Sequence, residues 1–303
     1  MKVLVTGGAG FIGKYLVKSL LEKGNSVTIF DNFSNSTKNS INFLENIGAK
    51  VIEGDITKLD DIVNAIKDHE IVIHLAAKIS VSESISNPSE TFLVNVDGTK
   101  NILIACKKNN IKKLIVSSSA AVYGESSSGI KLVEESIMNP ISPYGESKVQ
   151  MEQKIIEFTS KCNINCIILR FFNIYGIGQS SEYAGVITKF IKRIVDEKPL
   201  EIFGDGLQTR DFVTIYDVID AIHCASLYDK SGIFNIASGK VITIKELAEQ
   251  MILLSGGKLE IQFVAGKKGD IKHSQADISI AKDQLGYSPK LELKEIIKEL
   301  LNE

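Results

Sequence analysis

Lys2-Val-Leu-Val-Thr6-Gly7-Gly8-Ala9-Gly10-Phe11-Ile12-Gly13 is the stretch that decides the fold. Lys2 to Thr6 reads as a short buried strand, and Phe11 to Lys23 has apolar residues at helical spacing. Between them the glycines follow a G-x-x-G-x-x-G pattern. Gly7 permits a tight turn, Gly10 lets backbone approach a pyrophosphate at a helix N-terminus, and Gly13 allows close packing of helix on strand. Glycine turns also arise for purely structural reasons. Here, however, the next strand, Ser26 to Phe30, ends in Asp31. A carboxylate at about that distance meets the ribose hydroxyls of a bound adenosine. Strand, turn, helix and acid together point to a dinucleotide. Asp31 repels a 2′-phosphate and no arginine lies near it, so NAD is favoured over NADP.

Working outward, strands and helices alternate. A polar loop follows from Asn32 to Ser40. Lys50 to Gly54 reads as a third strand, followed by Asp55-Ile56. Asp55 either caps the helix that starts near Asp60 or contacts adenine, and the dinucleotide context favours adenine. Glu70 to Leu75 is a fourth strand opening into Ala76-Ala77, small residues that let backbone approach a cofactor. His74 reads as a packed strand histidine rather than a catalyst. Ser89 to Asn109 reads as one long helix carrying Asn95 and Gly98. Lys113 to Ser117 is a fifth strand, ending in Ser117-Ser118-Ser119, and Asn165 to Arg170 a sixth. Such alternation predicts an α/β fold, a Rossmann-type doubly wound parallel sheet. After Asn173 the regularity gives way to longer loops. A smaller mixed α/β C-terminal substrate domain is expected over residues 174–303, the chain returning to the 1–173 dinucleotide domain at about 212–236.

Ser142-Pro143-Tyr144-Gly145-Glu146-Ser147-Lys148 opens the helix between the fifth and sixth strands. Ser142 suits the N-cap and Pro143 the first helical position. Tyr144 and Lys148, four residues apart, share a helical face. A phenol ionises near pH 10, and a neighbouring cation favours the phenolate. The pair therefore suits proton removal from an alcohol, although a packed ring beside a solvated lysine would produce the same spacing.

Farther along, Phe171-Phe172-Asn173-Ile174-Tyr175-Gly176 precedes a helix at about Val186 to Glu197. The loop Gly204 to Asp211 carries Arg210, either a surface ion-pair partner or a diphosphate ligand. Phe212 to Ile215 and Gly232 to Ile236 read as short strands. Thr243 and Glu246 make a capping box for a helix ending near Ser255. Lys267-Lys268-Gly269-Asp270 is a basic loop, and a last helix runs from about Lys294. The net charge of −2 gives no chain-wide reason to expect nucleic acid or a membrane surface as partner. Cys106, Cys162, Cys166 and Cys224 lack zinc-type spacing and read as free thiols in a reducing cytosol. No leader pattern precedes Lys2 and no apolar run reaches the length of a membrane span, so a cytoplasmic protein is expected.

In combination these motifs resemble the extended short-chain dehydrogenase/reductase family, and within it the nucleotide-sugar 4-epimerases, from Lys2 to about Tyr287. The resemblance implies NAD as cofactor, a UDP-sugar as substrate and a homodimer formed through the helices at Ser89–Asn109 and Tyr144–Lys161. Ser119, Tyr144 and Lys148 would be the catalytic triad. The cofactor would lie against Gly7, Gly10, Phe11, Ile12, Gly13, Asp31, Asn32, Ser34, Asn35, Asp55, Ile56, Leu75, Ala76, Ala77, Asn95, Ser117 and Phe172, as well as Tyr144 and Lys148. Asn173 and Arg210 would meet the substrate, with Lys268 and Asp270 near its nucleotide end. Lys268 stands where the family usually has arginine, a point charge in place of a bidentate fork. Ala120 and Ala121 stand where the 4,6-dehydratases carry Asp-Glu, so elimination chemistry is not expected. Ser274 falls where a bulky residue in the family narrows the sugar pocket, and a small residue there implies acceptance of UDP-N-acetylglucosamine as well as UDP-glucose. A 4-epimerase of another nucleotide sugar such as UDP-glucuronate, or a non-catalytic dinucleotide-binding regulator, are the competing readings.

Overall fold

A computed structural model describes residues 1–127, 129–179, 185–266 and 271–301. Its strands are β1 (Lys2–Thr6), β2 (Ser26–Asp31), β3 (Lys50–Glu53), β4 (Ile71–His74), β5 (Lys113–Ser119), β6 (Asn165–Phe171), β7 (Asn173–Tyr175), β8 (Leu200–Phe203), β9 (Thr209–Thr214), β10 (Gly232–Ile236), β11 (Val241–Thr243) and β12 (Ile261–Val264). The helices are α1 (Phe11–Glu22), α2 (Asn42–Asn46), α3 (Leu59–Ala65), α4 (Val81–Ser86), α5 (Pro88–Phe92), α6 (Thr99–Lys108), α7 (Pro143–Thr159), α8 (Val186–Val195), α9 (Ile215–Leu227), α10 (Ile244–Leu254) and α11 (Leu293–Leu301).

Seven strands form one parallel sheet in the order β10-β6-β5-β4-β1-β2-β3. The strand order reverses between β1 and β4, which opens a crevice at their C-terminal ends where ligands of such sheets bind. Side chains alternate between two cores, one on each face. Val3, Val5, Ile71, Ile73 and Ile115 enter one. Leu4, Val72, Leu114 and Val116 enter the other. Covered on both faces, these strands have continuous apolar middles, as a buried parallel sheet favours.

A third core gathers Tyr175, Ile187, Phe190, Leu200, Ile202, Phe212, Leu247, Met251 and Ile297. It is bounded by a three-stranded sheet, β11-β9-β7, and the parallel pair β12-β8. The strand expected at Phe212–Ile215 belongs to this smaller sheet, whereas β10 joins the edge of the large one beside β6.

The helix expected over Ser89–Asn109 is interrupted. Between α5 and α6 lies a π-helical segment, Leu93–Gly98. Insertions of this kind turn a side chain off the regular helical stripe, and here the stripe carries Asn95. Local capping chemistry follows the sequence closely. Ser142 accepts from the Gly145 N–H with Pro143 at the first helical position of α7, and Thr243 and Glu246 form the reciprocal capping box on α10.

Candidate active site

The β1–α1 turn is built for contact with something else. Gly7 has φ +69°, and a Cβ there would lie 2.6 Å from the Ala76 nitrogen after β4. A Cβ on Gly13 would lie 2.3 Å from the Gly7 carbonyl oxygen. No side chain caps α1, whose N-cap is Gly10. Its first N–H groups therefore open toward the crevice, a ready anion site. Beside them Asp31 accepts from the Ala9 N–H at 3.0 Å and the Phe33 N–H at 2.8 Å. Burial pushes the Asp31 carboxyl above its ordinary value, opposed by those two bonds and by Lys14.

The crevice is a cleft of about 1140 Å³. Gly7, Gly10, Phe11, Ile12, Gly13, Asp31, Asn32, Ser34 and Asn35 line its first wall. Asp55, Ile56, Leu75, Ala76, Ala77, Ser117 and Phe172 line the next, with Ser119, Tyr144 and Lys148 at its centre and Asn173 and Arg210 beyond. Asp55 does not cap α3, whose N-cap is Lys58. Its Oδ1 instead accepts from the Thr57 N–H and hydroxyl, both at 2.8 Å. Burial would raise this carboxyl, but bonds from Thr57 and Asn32 hold it below its ordinary value.

Lys148 is 2% exposed. Its Nζ donates to the Ser117 carbonyl at 2.9 Å and faces the Met151 sulfur at 3.9 Å. Burial lowers its pKa to about 8, opposed by Glu152. The Tyr144 N–H donates to the buried Ser84 Oγ at 3.1 Å, which holds the first turn of α7. Burial pushes the Tyr144 phenol above its ordinary range, and a hydrogen bond with Ser119 pulls the other way. Within the free protein, desolvation thus outweighs the pull of Ser119. Ser119 Oγ also accepts from the Ala121 N–H at 3.1 Å, so Ala120 and Ala121 form the turn directly after it.

Asn95 and Ser274 do not line the cleft. Asn95 is 1% exposed and is not among the lining residues. Its Oδ1 accepts from the Lys78 N–H at 2.8 Å, and its Nδ2 donates to Lys78 O and Ser147 Oγ, each at 2.9 Å. The π-helical segment turns it inward, where it ties the β4–α4 loop to α7. Ser274 is also buried and does not line the cleft. Its neighbours Lys272 and His273 are held through their N–H groups by Glu125. Lys268 and Asp270 lie outside the described residues.

Other cleft residues were not singled out from the sequence. Lys78 lines the cleft and pairs with Glu90 at 2.8 Å. Lys189 and Lys192 of α8 line the far end with Phe203 and Gln208. Three-residue spacing on α8 was the available signal for the lysines. Beneath the cleft, Asp211 accepts from the Ser238 N–H and hydroxyl and the Gly239 and Ala276 N–H groups. Burial raises it to about 6. It anchors β9 while its own carbonyl accepts from Asn173 Nδ2 at 3.0 Å.

Fold and site together define a dinucleotide-dependent enzyme class, with a tyrosine, a lysine and a serine converging beside the cofactor crevice of a doubly wound sheet. Residues 3–237 match the NAD dependent epimerase/dehydratase family, and the chain belongs to it. It is 40% identical over 303 residues to a Methanocaldococcus jannaschii protein named "Putative UDP-glucose 4-epimerase", covering 99% of this chain and 97% of that one. Among solved structures it is similar to the UDP-N-acetylglucosamine 4-epimerase of Methanobrevibacter ruminantium M1 in complex with UDP-N-acetylmuramic acid, at 36% identity and a TM-score of 0.94, covering 99% and 97% of the two chains. It is similar also to the UDP-glucose 4-epimerase of Thermotoga maritima with UDP-glucose, at 33% identity and a TM-score of 0.94, covering 100% and 98%.

Proposed function

We infer that this chain catalyses NAD-dependent epimerisation at C4 of a UDP-sugar, through a transient 4-keto intermediate. The observation that carries the reading is the convergence of Ser119, Tyr144 and Lys148 on one cleft, with alanines at 120 and 121. The residues fit the cofactor. The uncapped N-terminus of α1 suits its pyrophosphate, Asp31 the adenosine ribose, and the Gly7–Ala76 approach leaves room for backbone contact. When bound, NAD supplies the site that accepts and returns a hydride at C4.

The chain's own groups handle the proton. Tyr144 takes it from the sugar 4-hydroxyl, and the Lys148 cation favours the phenolate that does so. Ser119 donates a hydrogen bond to the developing 4-keto oxygen. The keto-sugar turns in the cleft, so that hydride can return to the opposite face of C4, and Tyr144 returns the proton to the 4-oxygen. Neither Ala120 nor Ala121 can move a proton, which supports epimerisation over elimination. Arg210 and Asn173, which line the cleft, would hold the nucleotide diphosphate and the sugar, with residues 174–303 as the substrate domain.

A homodimer is part of the same reading. Leu93, just before α6, and Ile156 on α7 are large apolar side chains left exposed on adjacent elements, and twofold pairing would cover them. The free cysteines support a reducing compartment, the cytoplasm. Among the described residues no helix is long and apolar enough to cross a membrane.

The test is to mix purified protein with UDP-glucose, UDP-galactose, their N-acetyl forms and UDP-glucuronate, adding no NAD. Interconversion of a C4 pair is expected and identifies the sugar directly. No interconversion with NAD present on the protein would leave a non-catalytic dinucleotide binder.

A further inference from the structure

Two consecutive residues of β5 hold successive turns of one α7 face, and a third neighbours the turn before them. The Ser117 carbonyl accepts from Lys148 Nζ at 2.9 Å and Ser118 Oγ donates to Glu152 Oε1 at 2.5 Å, while the Ser119 hydroxyl favours the Tyr144 phenolate. Tyr144, Lys148 and Glu152 are spaced at i, i+4 and i+8, so they form one stripe. The proton-transfer chemistry uses the first two and leaves the third unexplained.

Glu152 is fully buried, and Arg170 of β6 beside it is 2% exposed. Arg170 Nε donates to Glu152 Oε1 at 3.0 Å and Oε2 at 3.2 Å, and Nη2 donates to Oε2 at 2.7 Å. Arg170 Nη1 donates to the Tyr123 hydroxyl at 2.8 Å and the Glu134 carbonyl at 2.7 Å. The Tyr123 hydroxyl donates in turn to Asn235 Oδ1 at 2.6 Å. Every oxygen of the carboxylate is held, and the guanidinium is locked from three sides. A buried ion pair of this kind is a poor stabiliser compared with apolar packing. Its position, one turn beneath the proposed catalytic lysine, gives it another use.

We propose that Glu152 is a positioning residue for the proton-transfer pair: held by Arg170 and Ser118, its carboxylate keeps the Lys148 ammonium seated and charged beneath Tyr144. The proposal rests on the reading of Tyr144 and Lys148 as that pair. Among the described residues, the Ser117 carbonyl of β5 and the Met151 sulfur of α7 touch the Lys148 ammonium. Tyr144 and Glu152 share its α7 stripe one turn to either side, Arg170 of β6 pairs with Glu152, and the buried His74 on β4 feels the lysine's charge. Glu152 is the carboxylate among them.

The decisive variant is Glu152→Gln, isosteric but uncharged, assayed as intact protein for kcat and KM from pH 6 to 10. Lys148 without its carboxylate gives up its proton at lower pH. The alkaline limb of kcat is expected to move down by about one pH unit, with KM and bound NAD little changed. Glu152→Asp, which keeps the charge, is expected to restore the wild-type limb. A structural prop would lower the melting temperature in both variants and leave the limb in place, and that result overturns the proposal. Ser118→Ala decides the case where Glu152→Gln does not fold. It frees one carboxylate oxygen without removing charge, so kcat should fall several-fold at unchanged KM, and a wild-type kcat overturns the proposal. Tyr144→Phe run in parallel separates the two levels. Near-normal turnover there fails the catalytic reading and the proposal with it, whereas an unmoved limb in Glu152→Gln fails the proposal alone.

Discussion

Lys148 Nζ donates to the carbonyl oxygen of Ser117 at 2.9 Å, fastening α7 to the last residues of β5. One bond thus seats a buried cation at the C-terminal edge of the sheet, where the strand order has opened the crevice. Lys148→Met removes that cation and leaves the carbonyl without its donor. We expect kcat to fall roughly 10²-fold or more, as for loss of an acid–base group. The residual rate should keep rising above pH 9, because the phenol then ionises without help. A variant with wild-type kcat at pH 7.5 would remove Lys148 from the mechanism.

His74 is predicted to make the fold acid-sensitive. Thr99 Oγ1 donates its proton to Asn95 O at 2.7 Å, so it must accept from His74 Nε2 at 3.0 Å. His74 Nδ1 is then the acceptor for the Thr6 hydroxyl at 2.7 Å. Burial first, then Lys148, lowers its pKa to about 3. A histidine depressed in the folded state contributes stability that is present above the unfolded value near 6.5. That stability is lost as pH falls from there toward the folded value. Between pH 7 and 5 the loss is about 2 kcal/mol by linkage. Chemical denaturation of His74→Gln should show its deficit against the native protein shrinking by about that amount over the same interval. A constant deficit would contradict the neutral, clamped ring.

Asp31 controls the choice of dinucleotide. Its carboxylate accepts from Ala9 and Phe33 and faces the cleft. Asp31→Ala is expected to weaken NAD retention and to relax discrimination against NADP by roughly tenfold or more, since the repulsive charge is gone. Cofactor content after gel filtration, followed by titration with each dinucleotide, measures both effects.

Arg210 should act on substrate and not on cofactor. It lies on β9 in the three-stranded sheet and lines the far half of the cleft, with Nη1 also bonded to the Thr209 carbonyl at 2.9 Å. Charge-assisted hydrogen bonds contribute about 1.5–3 kcal/mol, so Arg210→Leu is expected to raise KM for the UDP-sugar by roughly 10- to 100-fold. Bound NAD should be unchanged. A variant that loses NAD but keeps KM would reverse the assignment.

Much of the cofactor side was legible because its chemistry is local. The Gly7–Gly13 turn, Asp31 at the end of the next strand and the small residues at 76 and 77 lie within or just beyond single strand–turn units. The continuous apolar runs Val3–Val5, Ile71–Ile73 and Leu114–Val116 are likewise a property of neighbouring residues. So are the N-cap of α7 and the capping box of α10, each closed within four residues. The substrate side was less legible because β9, α8 and residues 271–276 come together across long separations.

The sequence alone determined the parallel α/β sheet, the dinucleotide turn and the shared helical face of Tyr144 and Lys148, because backbone geometry and short-range spacing suffice for each. Tertiary structure decided what those residues touch. It set Asn95 as a clamp between Lys78 and Ser147, because a π-helical segment rotates it inward. It buried Ser274 away from the cleft. It also set Glu152 and Arg170, 18 residues apart in the chain, into a buried pair under Lys148, because only packing of α7 onto β5 and β6 removes water from both and brings their charges together.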